Sequence, residues 1–229
     1  MTSDGLPPDA ASAPRPLLRS PWLWAAVFGV VVLTGLKTCS GKRLVPLDKI
    51  SAVPAFTLVD QAGRPFGSED LKGHVWVASF IFTTCSTVCP RLSDANAELQ
   101  RRFAAENLDA RLVSFTVDPE MDRPALLTSY AQRYGADPAR WTFLTTADGG
   151  TAALYELIAK GFQLAMGERA ADSAGAVDIS HSTKLVLVDA DGFIRYYFDS
   201  SEDQLAIIVA YARELGIEAA EAAREEAAR

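Results

Sequence analysis

The stretch Val75-Trp76-Val77-Ala78-Ser79-Phe80-Ile81-Phe82-Thr83-Thr84-Cys85-Ser86-Thr87-Val88-Cys89-Pro90 decides the fold. Its first eight residues are rich in β-branched and aromatic side chains, which is typical of a buried strand. Leu92, Ala95, Leu99 and Phe103 then recur at helical spacing and predict an amphipathic helix. The two cysteines therefore lie at a strand-to-helix turn. The free N–H groups and the macrodipole of a helix N-terminus favour a thiolate at such a turn.

The CxxxC spacing of Cys85 and Cys89 allows three interpretations. The first is a structural disulfide or a pair of buried thiols, which need not lie at a strand end. The second is a catalytic dithiol, although the usual redox spacing is CxxC. The third is a metal site, because two soft thiolates suit Cu(I), zinc or an iron–sulfur cluster. Two cysteines are too few for a cluster or a closed zinc site without further ligands.

Composition narrows the class of protein. The chain has 229 residues, which allows one sizeable domain with a core plus extensions. Its formal net charge of -7 argues against nucleic acid as the main partner. With only three cysteines, the chain is not a disulfide-rich scaffold.

The N-terminal region predicts a membrane anchor. Residues 1–19 are rich in Pro, Ala and Ser and predict a disordered leader. Residues 20–36 carry no charge and form a run near the lower end of the roughly 17–25 residues that span a bilayer. A cleaved signal peptide is the alternative, but no A-x-A-like site follows the run. A lipoprotein fits poorly, because Leu36-Lys37-Thr38 precede Cys39 in place of small residues. We therefore expect an uncleaved transmembrane anchor, with Cys39 as a spare thiol beside the membrane.

The rest of the chain predicts a linker at 37–53, a folded domain at 54–216 and a polar tail at 217–229. Residues 165–178 are small and polar and predict a mobile loop. The other predicted elements are hairpins at 56–66 and 184–198, strands at 75–82 and 110–117, a short apolar piece at 141–144, and helices through 92–103, at 124–134, at 151–160 and after Ser201. Alternating strands and helices with a closing hairpin and helix predict a thioredoxin-like α/β sandwich with an N-terminal hairpin. The cysteines would lie at the carboxyl end of its first parallel strand.

The chain contains two histidines, and only His181 is a candidate ligand. It directly precedes the predicted strand that begins at Lys184, and in a thioredoxin-like fold this segment faces the cysteine turn. Thioredoxins carry a cis-proline at that place, whereas this chain has no proline after Pro138. An imidazole there would face two thiolates; the alternative is a surface histidine bound to loop backbone. We expect His74 to be exposed and without neighbours of ligand type.

Taken together, Cys85-x-x-x-Cys89-Pro90, Val117-Asp118-Pro119-Glu120 and the segment from His181 to Asp189 resemble the Sco/SenC family of copper chaperones, over about residues 50–215. The resemblance implies that Cys85, Cys89 and His181 bind one copper ion, as Cu(I) or Cu(II). Ser86-Thr87 replace the Pro-Asp pair that is common within the family's motif, and Ser180 replaces the usual Asp before the histidine. Asp118 is a candidate for orienting the metal ligands.

The resemblance further implies assistance in assembling the copper centre of cytochrome c oxidase subunit II. Family members are membrane-anchored, so we expect a single-pass protein of the inner membrane with a periplasmic domain. Two thiolates and an imidazole form a soft three-coordinate site suited to Cu(I), and oxidation to a Cys85–Cys89 disulfide would prevent binding. The alternative function is a thiol–disulfide reductase that keeps the oxidase cysteines reduced. A peroxidase-like relative is less well supported, because peroxidatic and resolving positions are not evident. We expect a metallochaperone and not an enzyme.

Overall fold

The computed structural model describes residues 44–171 and 177–228, together with Trp24, Ala25, Phe28 and Gly29. The chain divides into two units between Leu44 and Val45. In the first unit, the four separately described residues are helical. Among the described residues, none of the helices combines the length and the apolar character that crossing a membrane requires. Most of the predicted anchor at 20–36, the whole leader at 1–19 and Cys39 lie outside the described residues.

The second unit is built on a mixed sheet centred on the strand predicted from the opening stretch. The strands are β1 Ser51–Ala52, β2 Thr57–Asp60, β3 Pro65–Gly67, β4 Val75–Ile81, β5 Ala110–Thr116, β6 Trp141–Thr145, β7 Met166–Ala171, β8 Val177–His181, β9 Leu185–Val188 and β10 Phe193–Phe198. Among the described residues the main sheet has the order β1-β10-β9-β4-β5-β6-β2-β3. Strands β4, β5 and β6 run parallel, and their neighbours β9 and β2 run antiparallel to them.

The helices lie between the strands as the alternating pattern predicts. They are α1 Cys89–Ala105, α2 Pro124–Arg133, α3 Ala152–Glu156 and α4 Glu202–Ala227, with a 3-10 turn at Ser68–Leu71 and a π-helical turn at Leu157–Gly161. All seven residues of β4 are buried, which fits a central strand covered on both faces. On one face, Asn96 of α1 donates to Ser79 Oγ at 3.0 Å. On the other face, the Phe80 ring contacts the Phe162 ring with centroids 5.1 Å apart. The predicted mixed α/β architecture and its N-terminal hairpin, β2–β3, are confirmed.

One predicted element is wrong. The stretch predicted as a mobile loop at 165–178 contains β7 and the start of β8, which form an antiparallel hairpin. Its Ala, Gly, Ser and Asp residues have low intrinsic strand preference, so the pairing of the two segments stabilises a conformation that the local sequence does not favour. The helix predicted at 151–160 is confirmed, as α3 and the π-helical turn that continues it from Leu157. There a Cβ on Gly161 would lie 2.8 Å from Pro54 Cδ, so the close approach of Pro54 requires glycine.

Part of the segment predicted as linker contacts the domain. Strand β1 pairs with β10, and the backbone N–H of Ile50 donates to the Ile194 carbonyl at 2.8 Å. The Arg195 guanidinium donates to the Leu47 carbonyl, with Nε at 3.0 Å. The Tyr211 hydroxyl donates to the Val45 carbonyl at 2.9 Å. These contacts join residues 45–52 to the edge of the sheet and to α4.

Candidate functional site

The chain leaves β4 through a tight turn that places Cys85 in front of helix α1. The Cys85 N–H donates to the Phe82 carbonyl at 3.2 Å, which closes the turn. The helix begins only at Cys89, with Val88 as N-cap and Pro90 in its first turn, where a missing N–H costs no hydrogen bond. The two cysteines therefore do not share a helical face. Instead Cys85 lies ahead of the helix N-terminus, and Cys89 forms part of that terminus.

The two sulfur-bearing residues are in direct contact. The backbone N–H of Cys89 donates to Cys85 Sγ at 3.4 Å, as expected for a sulfur above a helix N-terminus. The Thr87 hydroxyl lies 3.7 Å from the same sulfur. Both cysteines are in the reduced thiol form in this structure. Cys85 is partly exposed, whereas Cys89 is fully buried.

The two thiols differ in acidity. Burial acts to raise the pKa of Cys85, but hydrogen bonds from Cys89 and Thr87, through backbone and side chain, outweigh it and leave the pKa below the value for a free thiol. Burial raises the pKa of Cys89 far above that value, and the adjacent Cys85 and Asp122 raise it further. Because the thiolate is the nucleophile and the metal ligand, Cys85 is the more reactive sulfur at neutral pH.

The buried Tyr130 of α2 contacts helix α1 close to Cys89. The Tyr130 hydroxyl and Ser93 Oγ, one turn beyond Cys89 in α1, are 2.8 Å apart. Burial strongly raises the pKa of Tyr130, so its phenol stays neutral.

Two aspartates lie in the loop between β5 and α2. Asp118, the residue predicted from the sequence, is buried, and its N–H donates to Thr116 Oγ1 at 3.0 Å. Asp122, which the sequence reasoning missed, is also buried, and the Thr116 hydroxyl donates to its Oδ2 at 2.5 Å. Burial raises the pKa of Asp122, hydrogen bonds from Thr116 and Thr83 oppose the rise, and the charge of Asp118 adds to it. The charge of Asp122 in turn raises the pKa of Cys89, which connects this loop to the dithiol.

His181 is the last residue of β8 and is paired with Met166 across the hairpin. Its side chain lies outside the described part of the structure, so its role as a ligand stays a prediction. Among the described side chains, no group of three or more His, Cys, Asp or Glu is arranged to hold a metal ion. His74, expected to be exposed and without such neighbours, is partly buried, and its Nδ1 lies 3.0 Å from Asp109 Oδ2.

This arrangement supports two kinds of chemistry. Two adjacent sulfurs at a helix N-terminus can bind a soft metal ion as thiolates. The same pair can exchange with a disulfide, because one sulfur is accessible and acidic while the other lies next to it. The fold and the site thus define an α/β domain with a reactive dithiol at the carboxyl end of its central strand.

Comparison with known proteins identifies the family. A profile of the SCO1/SenC family matches residues 46–216. A SCO1 protein homolog of Bacillus subtilis (strain 168) is 34% identical over 169 residues, which cover 73% of this chain and 83% of that protein. A putative copper-binding protein of Stutzerimonas stutzeri is 32% identical over 153 residues, 66% of this chain and 70% of its own length. The chain belongs to the SCO1/SenC family.

Solved structures agree with this assignment. A SCO1/SenC family lipoprotein from Bacillus anthracis str. Ames superposes with a TM-score of 0.64 at 32% identity, covering 72% of this chain and 94% of that one. BsSco, described as a member of the Sco family of cytochrome c oxidase assembly proteins with a disulfide switch, gives a TM-score of 0.64 at 31% identity, covering 75% and 98%. The predicted thioredoxin-like fold is therefore that of the Sco family.

Proposed function

We propose that this chain is a membrane-anchored copper chaperone with an extracytoplasmic domain. Cys85, Cys89 and His181 bind one copper ion, and the protein supplies it to the copper centre of cytochrome c oxidase subunit II. The observation that carries the proposal is the pair of reduced cysteines at the N-terminus of α1, with Cys85 Sγ 3.4 Å from the Cys89 amide nitrogen. Soft thiolates prefer Cu(I) over harder ions.

Further support comes from the relatives. The Stutzerimonas stutzeri relative is named for copper binding, and the family of BsSco is described by its part in oxidase assembly. The partial exposure of Cys85 suits transfer, because a cargo ion must remain reachable by its acceptor. Asp118, buried in the loop after β5, is proposed to help orient the ligands.

The test is copper stoichiometry of the reduced protein after anaerobic reconstitution. We expect one copper per chain and a large loss of affinity in His181→Ala, beyond the roughly 10–100-fold that disturbing an outer partner causes. His74→Ala is the matched control, because it removes the other histidine of the chain, whose contact is with Asp109. Retention of zinc with no copper bound, or equal affinities in the two histidine variants, would show the ligand assignment to be wrong.

A second function is favoured by the inequality of the two thiols. An accessible, acidic Cys85 beside a buried Cys89 suits a thiol–disulfide reductase, and BsSco is described as having a disulfide switch. In that reaction the target's disulfide bond breaks, two electrons and two protons pass to its sulfurs, and a Cys85–Cys89 disulfide forms. Loss of His181 should leave this exchange nearly unchanged. Normal oxidase assembly in cells carrying His181→Ala, despite loss of copper binding, would favour the reductase.

The predicted membrane anchor is tested separately, by measuring the intact mass of the protein. An intact mass for the native protein that includes residues 20–36 supports the uncleaved segment. A mature chain that begins near residues 37–40 would instead show cleavage, and added lipid mass on Cys39 would identify a lipoprotein.

A further inference from the structure

Asp122 is a fully buried carboxylate that accepts hydrogen bonds from the ends of two strands. The Thr83 hydroxyl donates to its Oδ1 at 2.5 Å, and the Thr83 N–H donates to Oδ2 at 3.1 Å. The Thr116 hydroxyl donates to Oδ2 at 2.5 Å. Thr83 follows β4 and Thr116 ends β5, so one side chain joins the two strands at the edge of the sheet where the cysteines lie.

Thr83 is one of the two central residues of the turn that presents Cys85. The turn is closed by the hydrogen bond from the Cys85 N–H to the Phe82 carbonyl. Beside it, the Val117 N–H donates to the Ile81 carbonyl at 2.7 Å and continues the β4–β5 ladder. The turn that places Cys85 Sγ over the Cys89 N–H thus contains Thr83, and Asp122 accepts from both hydrogen-bond donors of Thr83.

We propose that Asp122 is a positioning residue that fixes the Phe82–Cys85 turn and thereby holds the Cys85 sulfur against the N-terminus of α1. A carboxylate suits this task because it only accepts, and three donors converge on it. An amide would supply one accepting oxygen for Thr83 and would turn a donor toward Thr116. Asp122 shares the loop with Asp118, whose negative charge repels that of Asp122. Among the described residues, no lysine or arginine forms an ion pair with Asp122.

The test compares Asp122→Ala, Asp122→Asn and a matched control. Asp60 is the control, because its buried carboxylate also holds a turn, accepting from the backbone N–H groups of Ala62 and Arg64 at 2.8 Å each. It lies on β2, three strands away from β4 in the sheet. The measurement is amide hydrogen exchange of the reduced, metal-free protein, followed at Thr83, Cys85 and Cys89, with Val77 in the middle of β4 as internal reference.

In Asp122→Ala we expect the Thr83, Cys85 and Cys89 amides to exchange about tenfold faster relative to Val77, because the turn loses the hydrogen bonds that hold Thr83. Asp122→Asn should restore part of the protection, since its oxygen still accepts from Thr83. Asp60→Ala should leave the three amides unchanged relative to Val77. Equal exchange in Asp122→Ala and wild type, or the same change in Asp60→Ala, would overturn the proposal. If Asp122→Ala does not fold, Thr83→Ala removes one donor alone, and the same criteria apply at Cys85 and Cys89.

A second readout rests on the proposed copper function. Asp122→Ala should weaken copper binding by about 10–100-fold, as for other groups that orient a ligand, and Asp60→Ala should not. Because the exchange measurement needs no metal, the two proposals can fail separately. A wild-type protein that binds no copper contradicts the copper function while the exchange result still decides the role of Asp122.

Discussion

At the scale of single residues, the main finding is that two cysteines of one motif have opposite surroundings. Nothing in the CxxxC pattern distinguishes them, yet Cys85 lies in the turn before α1 and Cys89 is enclosed within its first turn. The helix N-terminus therefore stabilises a thiolate on Cys85, whose sulfur receives the Cys89 N–H. Cys89 donates that hydrogen bond and is itself desolvated. Because of this geometry, the two sulfurs differ in acidity and in exposure to solvent.

The difference predicts the pH dependence of alkylation. Because the pKa of Cys85 is lowered, its reaction with iodoacetamide should reach half-maximal rate below pH 9.0, the value for an unperturbed thiol. Because the pKa of Cys89 is raised, that thiol should stay protonated and unmodified through the same range. The measurement is peptide mass spectrometry of the reduced Cys39→Ser protein across pH. The unfolded protein is the control, in which both cysteines should react alike, and equal rates in the folded protein would contradict the assignment.

Residue chemistry could be predicted from the sequence only where it follows from local position. Cys85 and Cys89 were found because they directly follow a strongly patterned strand, and Asp118 because it belongs to the segment Val117-Asp118-Pro119-Glu120 that carries the family resemblance. Asp122 could not be found, because its partners Thr83 and Thr116 are 39 and 6 residues away in sequence and meet it only when β4 and β5 pair. The signal that could have pointed to it is a hydroxyl residue at the end of each of two adjacent parallel strands.

At the scale of elements, the apolar pattern of the sequence predicted the strands and the helix that are buried in the core. Strands β4 and β5 and helix α1 have continuous or periodic apolar residues, and all three were predicted within a few residues. The β7–β8 hairpin was missed, because its strands are stabilised by pairing with each other and carry little apolar pattern. The missed hairpin matters for the site, because its strand β8 ends at the predicted ligand His181. The backbone around the two cysteines was thus predictable from the sequence, whereas the hairpin that carries His181 was not.

The π-helical turn after α3 gives a prediction at this scale. Gly161→Ala should destabilise the fold by about 1–3 kcal/mol, because the added Cβ would lie 2.8 Å from Pro54 Cδ and 3.1 Å from Leu157 Cδ1. Gly216→Ala is the matched control, since its Cβ meets nothing within 4 Å and alanine favours the helix by up to about 1 kcal/mol. Urea unfolding of both variants decides the question. Equal stability of the Gly161 variant and wild type would show that the turn adjusts freely.

At the scale of the whole molecule, the segment that joins the domain to the N-terminal region is part of the folded unit from Val45 onward. The half-buried Arg195 of β10 contacts two other parts of it. Its guanidinium bonds Asp189 Oδ2 at 3.0 Å in the β9–β10 turn and the Leu47 carbonyl ahead of β1. Position along the chain alone predicted a linker here, because strand β1 is only two residues long and has no pattern of its own.

A chain that begins at residue 54 should therefore be less stable than one that begins at residue 45. We expect a loss of at least about 2 kcal/mol, because hydrogen bonds to a charged group contribute about 1.5–3 kcal/mol each and β1 is lost as well. Denaturant unfolding of the two chains measures it. Lys49→Ala in the longer chain is the control, since the Lys49–Asp191 pair is exposed and contributes at most about 1 kcal/mol. A shorter chain as stable as the longer one would place the domain limit at residue 54.

Copper should stabilise the whole domain, and oxidation of the two cysteines should prevent this stabilisation. A ligand that binds only the folded state stabilises it by about 2.7 kcal/mol at 100 times its Kd, and by less if the unfolded thiols also bind. Cu(I) should therefore raise the unfolding midpoint of the reduced protein. It should fail to do so after diamide has formed the Cys85–Cys89 disulfide, since a disulfide offers no thiolate. The reduced Cys89→Ser variant is the control for loss of one sulfur without a crosslink.

The reversibility of this response separates a switch from damage. Reduction of the disulfide with a dithiol should restore the full copper-dependent shift, because Cys85 Sγ already lies 3.4 Å from the Cys89 amide nitrogen in the reduced protein. Thermal unfolding monitored by circular dichroism measures each state in turn. Copper is supplied as a Cu(I) complex, and a competing chelator removes it again. An equal copper-dependent shift in the oxidised and reduced proteins would mean that the metal binds elsewhere. In that case the cysteine pair is the redox centre of a reductase and not the cargo site of a chaperone.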